Sequence, residues 1–415
     1  MVYVVDYFHN VWERIKFGKW QLLMLPILFS IIGIYISIST LDRSNIPFKS
    51  FAVENALMPF VFFGVGFLLP VSLWRRYAVR FAPGEKLLWN RDGLSYAFFL
   101  LLFAMGLQIF AIWGDSSWDR VGPYTDGNAI TQMRRQLSVF SRPFQVGEFV
   151  KIFLMIFVAK MLIDMRIKKQ MRLCKEFFGF PLMALMSVGI FTFLMPNYSM
   201  LLIYIIMIFF MIFLQEMDVK PRIAMIAALV IPAVIASSIA NLEKDSSLAK
   251  VHGINRVWNF FNEEGMGNEQ QNEALQALAD GGIIGKGLDK GTIKHRLFGA
   301  RNDFAYSVLG EELGFWLMVP ITIAMVGFLF ACFWVAANID PVDRNAIFAQ
   351  NLAWGIAIIF TLNVVFHIGV NLRLLPNTGQ PLSFVSSGGA NLVMNFFLMG
   401  MLVQISSLIN KDKTV

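Results

Sequence analysis

Charged residues are scarce in this chain. Asp, Glu, Lys and Arg make up 15% of the 415 residues, while hydrophobic residues make up 57%. Soluble globular domains carry about 25% charged residues, so this composition argues against a soluble protein. The 41 Phe and 23 Met fit a chain whose surface largely faces lipid. The composition therefore indicates a polytopic membrane protein.

Cysteine is scarcer still, and the two that are present, Cys174 and Cys332, fall in a basic stretch and an apolar run. Two such residues exclude a disulfide framework and a structural metal site. The formal net charge of +7 comes without a basic face interleaved with aromatic residues, so we expect no nucleic-acid partner. Basic cytoplasmic loops in contact with anionic membrane lipids explain that charge. The first apolar run lacks a small-residue cleavage site, which favours a retained helix over a signal peptide.

Apolar runs of about helical spanning length recur along the chain. A helix needs about 20 apolar residues to cross the hydrocarbon core, and a lone strand would leave its backbone polar groups unsatisfied in lipid. We therefore predict an all-α polytopic membrane protein with about ten transmembrane helices. The predicted spans are 21–40, 56–74, 94–113, 146–163, 177–195, 198–214, 223–240, 315–336, 346–368 and 389–408.

The positions of Lys and Arg predict the orientation of these spans. With the N-terminus inside, the inner segments hold 18 basic residues and the short outer loops hold 7. Cytoplasmic loops carry the excess of basic residues, so both termini are expected in the cytoplasm. The chain then divides into an interfacial or cytoplasmic segment (1–20), helices 1–7 (21–240), a large extracytoplasmic loop between helices 7 and 8 (241–314), helices 8–10 (315–408) and a cytoplasmic tail (409–415).

Three carboxylates, Asp303, Glu311 and Glu312, stand where the 241–314 loop meets an apolar run. Asp303 and Glu311 are eight residues apart, about two helical turns, and could line one helix face. A carboxylate at a partly desolvated boundary can have a raised pKa and act as a base. The alternative is a solvated helix start, where the helix dipole favours acidic residues.

Three other patterns each have a structural and a functional interpretation. Glu148 and Lys151 are three residues apart in the fourth span and share a helix face. They form either an ion pair at the membrane interface or a site where Lys151 meets a phosphate. The glycine-rich segment 281–291 is either a simple turn or a backbone cradle for phosphate, although its spacing is not that of a P-loop. In each of two pairs of polar residues the members are four residues apart: Asn363 with His367, and Asn391 with Asn395. Such pairs favour hydrogen bonds between helices over ligand binding.

These segments resemble the motifs of the SEDS family, the polytopic peptidoglycan glycosyltransferases that include FtsW, RodA and SpoVE. Residues 303–314 are similar to DFIFAVIGEELG, residues 281–288 to GGLFGKGL, residues 145–151 to QPSEFAK, and residues 374–389 to LLPVTGxPLPFISYGG. The chain departs from the family pattern at Val146, Gly147, Asn197, Phe298, Gly299, His367, Ser383 and Ser387. The departures indicate a divergent member, and the Thr378-Gly379-Gln380 sequence favours the FtsW branch.

The resemblance implies polymerisation of lipid II at the outer face of the bacterial cytoplasmic (inner) membrane, during division or elongation. Asp303 would be the catalytic carboxylate, acting directly or through a divalent cation, Mg or Mn, with no other cofactor. The implied partners are a class B penicillin-binding protein transpeptidase and other divisome or elongasome proteins. The substrate-binding residues would be Lys151, Glu148, Arg256, Lys286, Glu311, Ser386 and Gly388. Their cations would stabilise the pyrophosphate leaving group.

A lipid II flippase without polymerase activity is the alternative function, with a path lined by Glu148, Lys151, Lys160 and Asn197. A proton-coupled carrier is expected to keep acidic residues in mid-span, whereas this chain concentrates them in the outer loop. A third interpretation is a polymerase or ligase for another polyprenyl-linked sugar. Assays with alternative lipid-linked donors would separate that third function from the first.

Overall fold

Helices make up most of the residues that the computed structural model describes, and they match most of the predicted spans. The structure describes residues 20–39, 57–70, 73, 77–80, 93–113, 136–139, 142–167, 176–194, 197–215, 222–223, 225, 238, 258, 260–261, 266–297, 299–386 and 389–409. Within these residues the α-helices are α1 (Trp20–Ser39), α2 (Met58–Leu68), α3 (Tyr96–Trp113), α4 (Val146–Ile167), α5 (Glu176–Leu194), α6 (Tyr198–Phe213), α7 (Met266–Gly281), α8 (Ala305–Ala337), α9 (Arg344–Asn371) and α10 (Gly389–Ile405). Short 3-10 helices lie at Ile293–His295 and Ser406–Leu408.

Two short antiparallel hairpins add to the all-helical prediction. Strands β1 (Tyr77–Arg80) and β2 (Gly93–Ser95) pair with an irregularity in their register. Strands β3 (Gln136–Val139) and β4 (Arg142–Gln145) pair in regular register, and β4 runs directly into α4. The helical class is therefore confirmed, with these hairpins as the exception.

Among the described residues, three helices are long and apolar enough to cross a membrane: Ala305–Ala337, Arg344–Asn371 and the stretch Gly389–Leu408. Five of the other helices contain shorter apolar stretches, of 10–17 residues, in the described part of the chain. The seventh predicted span, 223–240, falls almost entirely outside the described residues.

The chain forms two compact units, and the first contains Met1–Leu68, Leu229–Asn338 and Ile359–Val415. In this unit α10 packs along α2, and α8 packs against both α1 and α7. Phenylalanine rings fill the core between α8, α9 and α10, with centroids 5.3–5.6 Å apart for the contacting pairs among Phe328, Phe360, Phe384 and Phe396.

The second unit contains Leu69–Ala228 and Ile339–Ile358. Its α4 packs against α3, α5 and α6, and from Val146 to Ile163 most of its side chains are buried. Polar contacts join these helices: Gln108 donates to Thr192 Oγ1 at 2.7 Å, and the Tyr204 hydroxyl donates to the Gly147 carbonyl at 2.9 Å. The buried charges of Glu148, Lys151 and Lys160 all lie on α4.

Helix α8 begins before the boundary predicted at residue 314. Helix α8 begins at Ala305, so Glu311 and Glu312 lie inside a helix and are buried rather than solvated. The 241–314 segment also contains α7, and so it is not wholly a loop. Gly314 has φ 67° and ψ −179°, which interrupts α8 just before its long apolar part. The predicted boundary therefore coincides with a break inside a helix.

Candidate active site

The glycine-rich turn, residues 282–291, is hydrogen-bonded to the break in α8. A side chain at Gly314 would overlap the backbone of Ile284 and Gly285, and its positive φ also favours glycine. Four backbone hydrogen bonds of 2.9–3.0 Å join the two segments: Phe315 N to Gly282 O, Trp316 N to Ile283 O, Lys286 N to Glu311 O, and Gly287 N to Glu312 O. The turn amides of Gly285, Lys286, Gly287, Asp289 and Lys290 donate inside the protein, which supports a simple turn over a phosphate cradle.

Glu311 holds this turn through its buried carboxylate. Its Oε1 accepts hydrogen bonds from Lys286 Nζ at 2.8 Å, from the Thr292 amide at 2.7 Å and from the Ile293 amide at 3.1 Å. Lys286 also pairs with Asp280 at 2.8 Å. The hydrogen bonds that Lys286 donates to Asp280, and then to Glu311, raise the pKa of Lys286, so its ammonium stays charged. Both Lys286 and Glu311 have structural partners, and their contact with a substrate stays a prediction.

Glu312 connects the turn to α1. Its carboxylate accepts hydrogen bonds from Tyr35 at 2.7 Å, from Ser39 at 3.0 Å and from Lys294 at 2.7 Å. Lys294 reaches Asp289 at 2.8 Å as well. Burial lowers the pKa of Lys294, but the hydrogen bonds that Lys294 donates to Asp289 and Glu312 outweigh that effect, and the net direction is upward. The buried contact between Lys294 and Glu312 therefore fixes the chain on the N-terminal side of Asp303.

We expect Lys294→Met to lower the free energy of unfolding by about 2 kcal/mol, the scale of a lost hydrogen bond to a charged group. Glu312 would lose its cation but keep the hydroxyl donors of Tyr35 and Ser39. The midpoint of thermal unfolding in detergent measures the change. Lys290→Met is the matched control because Lys290 is an exposed lysine of the same turn. Equal midpoints for the two variants would contradict the expectation.

Asp303 lies in the short turn before α8. Its amide donates to the Gly299 carbonyl at 2.9 Å, and its side chain is half-buried. A second loop, residues 372–386, approaches the carboxylate through Gly379, which has φ 62°. A Cβ built on Gly379 would lie 3.5 Å from Asp303 Oδ2. A left-handed glycine therefore faces the carboxylate in place of a side chain.

The backbone around Asp303 is held by polar side chains from α9 and the second loop. Asn371 Nδ2 donates to the Asp303 carbonyl at 3.0 Å. The Ser386 hydroxyl donates to the Asn302 carbonyl at 2.6 Å and accepts from the Leu382 amide at 2.8 Å. Ser386 thus supports the turn that carries Asp303, and its predicted contact with substrate remains untested.

The remaining predicted site residues lie elsewhere in the chain. Glu148 and Lys151 form a buried ion pair in the second unit, with Nζ 2.7 Å from Oε2. Among the described residues, neither charged group has a hydrogen-bond partner with good geometry. Arg256 and Gly388 fall outside the described residues. The structure brings Ser386 to the Asp303 turn and Lys286 to Glu311, while Lys151 as a substrate ligand remains a prediction.

The divalent cation expected from the resemblance has no protein cage in the described part of the chain, where no group of three or more His, Cys, Asp or Glu residues could hold a metal. Glu311 and Glu312 already bind lysines and backbone or hydroxyl donors. We therefore derive no step through a metal. A half-buried carboxylate within reach of an acceptor hydroxyl can act directly as a general base.

Polar side chains of α9 form hydrogen bonds to the 372–386 loop and to the backbone around Asp303 that the sequence did not indicate. Asn363 donates to Ser383 Oγ at 3.1 Å and His367 bonds the Gln380 carbonyl at 2.8 Å, so both side chains bond the 372–386 loop. The interhelix bond expected of this pair is present only at His367, which accepts from the Tyr306 amide of α8 at 3.3 Å. Asn371, one turn further, was missed. Asn391 and Asn395 differ: within the described residues, both amide atoms of Asn391 and Nδ2 of Asn395 have no partner. Tyr35, Ser39 and Lys294 were also missed, because their contacts are set by the tertiary fold.

The sequence is similar to a known protein family and to curated relatives along most of its length. The family model FTSW_RODA_SPOVE, described as "Cell cycle protein", matches residues 127–411. The "Probable peptidoglycan glycosyltransferase FtsW" of Dichelobacter nodosus is 23% identical over 408 residues, which cover 95% of this chain and 92% of that protein. The protein of the same name from Geobacter sp. (strain M18) is 25% identical over 402 residues, covering 93% of this chain and 95% of the relative.

Solved structures show the same fold. A chain from "Structural coordination of polymerization and crosslinking by a peptidoglycan synthase complex" aligns with TM-score 0.62 at 19% identity, covering 95% of this chain and 98% of its own. The Thermus thermophilus rod shape determining protein RodA aligns with TM-score 0.54 at 18% identity, covering 93% and 96%. Both likenesses extend over nearly the whole length of each protein.

Proposed function

The chain belongs to the FtsW, RodA and SpoVE family of cell cycle proteins, and from this membership we infer that it is a membrane-embedded peptidoglycan glycosyltransferase. Relatives that carry this activity in their names match it along nearly its full length. The observation that supports the chemistry is Asp303, whose half-buried carboxylate is faced by Gly379 and whose backbone carbonyl accepts a hydrogen bond from Asn371 of α9. Lipid II is the proposed substrate.

Asp303 would act as the general base on the acceptor sugar. The carboxylate takes the proton of the acceptor hydroxyl as that oxygen bonds to C1 of the donor sugar. The bond between C1 and the pyrophosphate oxygen breaks, and undecaprenyl pyrophosphate leaves with the electron pair. Negative charge that develops on the leaving group requires nearby cations, and Lys151 and Arg256 are the proposed sources. Lys286 is a weaker candidate because Glu311 and Asp280 already bind it.

The proposed topology has ten spans, both termini in the cytoplasm and one large extracytoplasmic loop between spans 7 and 8. Support comes from the distribution of Lys and Arg and from the three long apolar helices. This arrangement places the Asp303 turn at the outer face of the bacterial cytoplasmic membrane, where the helix break at Gly314 precedes the apolar part of α8.

We also propose that the chain works with a class B penicillin-binding protein and with other divisome or elongasome proteins. The structural relative described as a peptidoglycan synthase complex coordinates polymerisation with crosslinking, and a transpeptidase would supply the second activity here. The matched relatives named FtsW favour a role in division over elongation.

Reconstitution tests the proposed function. In liposomes with its partner transpeptidase, the purified chain is expected to convert lipid II into glycan polymer, detected by gel electrophoresis of labelled product. Translocation of lipid II without polymer would instead support the flippase alternative and contradict the proposal. In cells, a tagged copy is expected at the septum; a side-wall pattern would assign the protein to elongation.

A further inference from the structure

Helix α8 begins without a capping residue of its own. Its N-cap is Phe304, whose side chain makes no capping hydrogen bond. The first amides of a helix lack partners within the helix, and Ser, Thr, Asp or Asn usually supplies one at the N-cap. Here the Tyr306 amide donates to His367 Nε2 at 3.3 Å, and the Ser307 amide donates both to Asn371 Oδ1 and to the Phe304 carbonyl at 3.0 Å. Two residues of α9, one turn apart, therefore cap α8.

Asn371 uses the full hydrogen-bonding capacity of its amide. Its side chain is fully buried. Oδ1 accepts from both the amide and the hydroxyl of Ser307, the latter at 2.7 Å. Nδ2 donates to the Asp303 carbonyl at 3.0 Å and to the His367 carbonyl at 2.8 Å. One side chain thus joins the first turn of α8 to the backbone of Asp303.

His367 joins the same helix start to the loop that faces Asp303. Because the Tyr306 amide is a donor, Nε2 must accept, and the proton lies on Nδ1. Nδ1 then donates to the Gln380 carbonyl at 2.8 Å. Gln380 directly follows Gly379, the residue that faces the Asp303 carboxylate. A neutral imidazole in this tautomer therefore connects the structural elements on both sides of Asp303.

We propose that His367 and Asn371 are positioning residues for Asp303. The proposal rests on the proposed function, in which Asp303 is the base. Neither residue needs to touch the substrate: the pair sets where the carboxylate stands relative to α8 and the 372–386 loop. A displacement of about 1 Å at a reacting group can cost about 100-fold in rate. The expected loss is therefore in kcat, with KM for lipid II nearly unchanged.

Conservative substitutions at Asn371 and His367 test the hydrogen bonds of the two residues separately. Asn371→Asp keeps the acceptors for Ser307 but loses the donor to the Asp303 carbonyl. His367→Gln keeps an amide oxygen near the position of Nε2 for Tyr306, and His367→Asn keeps an amide nitrogen near the position of Nδ1 for Gln380. Asn363→Ala is the control, because this buried asparagine of α9 donates to Ser383 Oγ at 3.1 Å and makes neither of the two hydrogen bonds that cap α8.

The test measures kcat, KM and the thermal midpoint on the same preparations. We expect Asn371→Asp to lower kcat about 100-fold and also to lower the midpoint, because its buried side chain would turn an oxygen toward the two carbonyls that Nδ2 bonds. We expect each His367 variant to lose part of kcat. Asn363→Ala should keep wild-type kcat. Wild-type kcat in Asn371→Asp and His367→Gln, with Asp303→Asn inactive, would overturn the positioning role. Losses of kcat that merely follow lost stability in every variant would overturn it as well. An active Asp303→Asn protein would overturn the proposed function instead.

Discussion

An Asp303→Asn protein is expected to be folded and to polymerise lipid II about 10³-fold more slowly, within the range that a general base contributes. Asparagine keeps the size of the side chain and both backbone hydrogen bonds of this residue. Its amide still donates to the Gly299 carbonyl, and its carbonyl still accepts from Asn371. What it loses is the ability to take a proton from the acceptor hydroxyl. The loss should therefore fall on kcat in a reconstituted polymerisation assay.

Asp343→Asn is the matched control for this substitution. Asp343 is exposed and accepts the Ala346 amide at 2.7 Å at the start of α9. Asparagine caps a helix about as well as aspartate, so this variant should keep wild-type activity and the same expression level. Polymerisation at the wild-type rate by Asp303→Asn would remove Asp303 from the chemistry and would reopen the flippase alternative.

The lengths of apolar runs in the sequence predicted most helices. The early start of α8 was missed because it depends on contacts between residues far apart in the sequence. Runs of about 20 apolar residues located α1, α3, α5 and α6 to within two residues. Glu311 and Glu312 break the apolar pattern of α8. Their burial depends on partners far along the chain: Tyr35, for example, is 277 residues from Glu312. No local pattern carries that information.

The candidate site was predictable only in part from residue spacing. Spacing left Asp303 as one of three boundary carboxylates, and the resemblance to a family singled it out. In the structure Glu311 and Glu312 bind lysines, and the Asp303 carboxylate lies close to Gly379. Asn371 was missed although it continues the four-residue spacing of Asn363 and His367. That spacing identified a polar face on α9 but could not show that the face caps another helix.

Breaking the buried ion pair of Glu148 and Lys151 is expected to destabilise the protein strongly. Their side chains are 0% and 1% exposed, and the pair has no other hydrogen bond of good geometry in the described residues. Removing one partner of a buried ion pair typically costs about 3–5 kcal/mol, because the other charge is left uncompensated. We therefore expect Lys151→Met to lower the thermal midpoint sharply, whatever the role of Lys151 in catalysis.

The double variant Glu148→Gln with Lys151→Met separates stability from function. It removes both charges, and replacing a whole buried pair with neutral residues is often neutral or stabilising, so its midpoint should return close to that of the wild type. If Lys151 binds the pyrophosphate of lipid II, the double variant will be stable but inactive in polymerisation. A stable and active double variant would show that the pair only supports α4, and the cation for the leaving group would then have to come from another residue, with Arg256 the first to test.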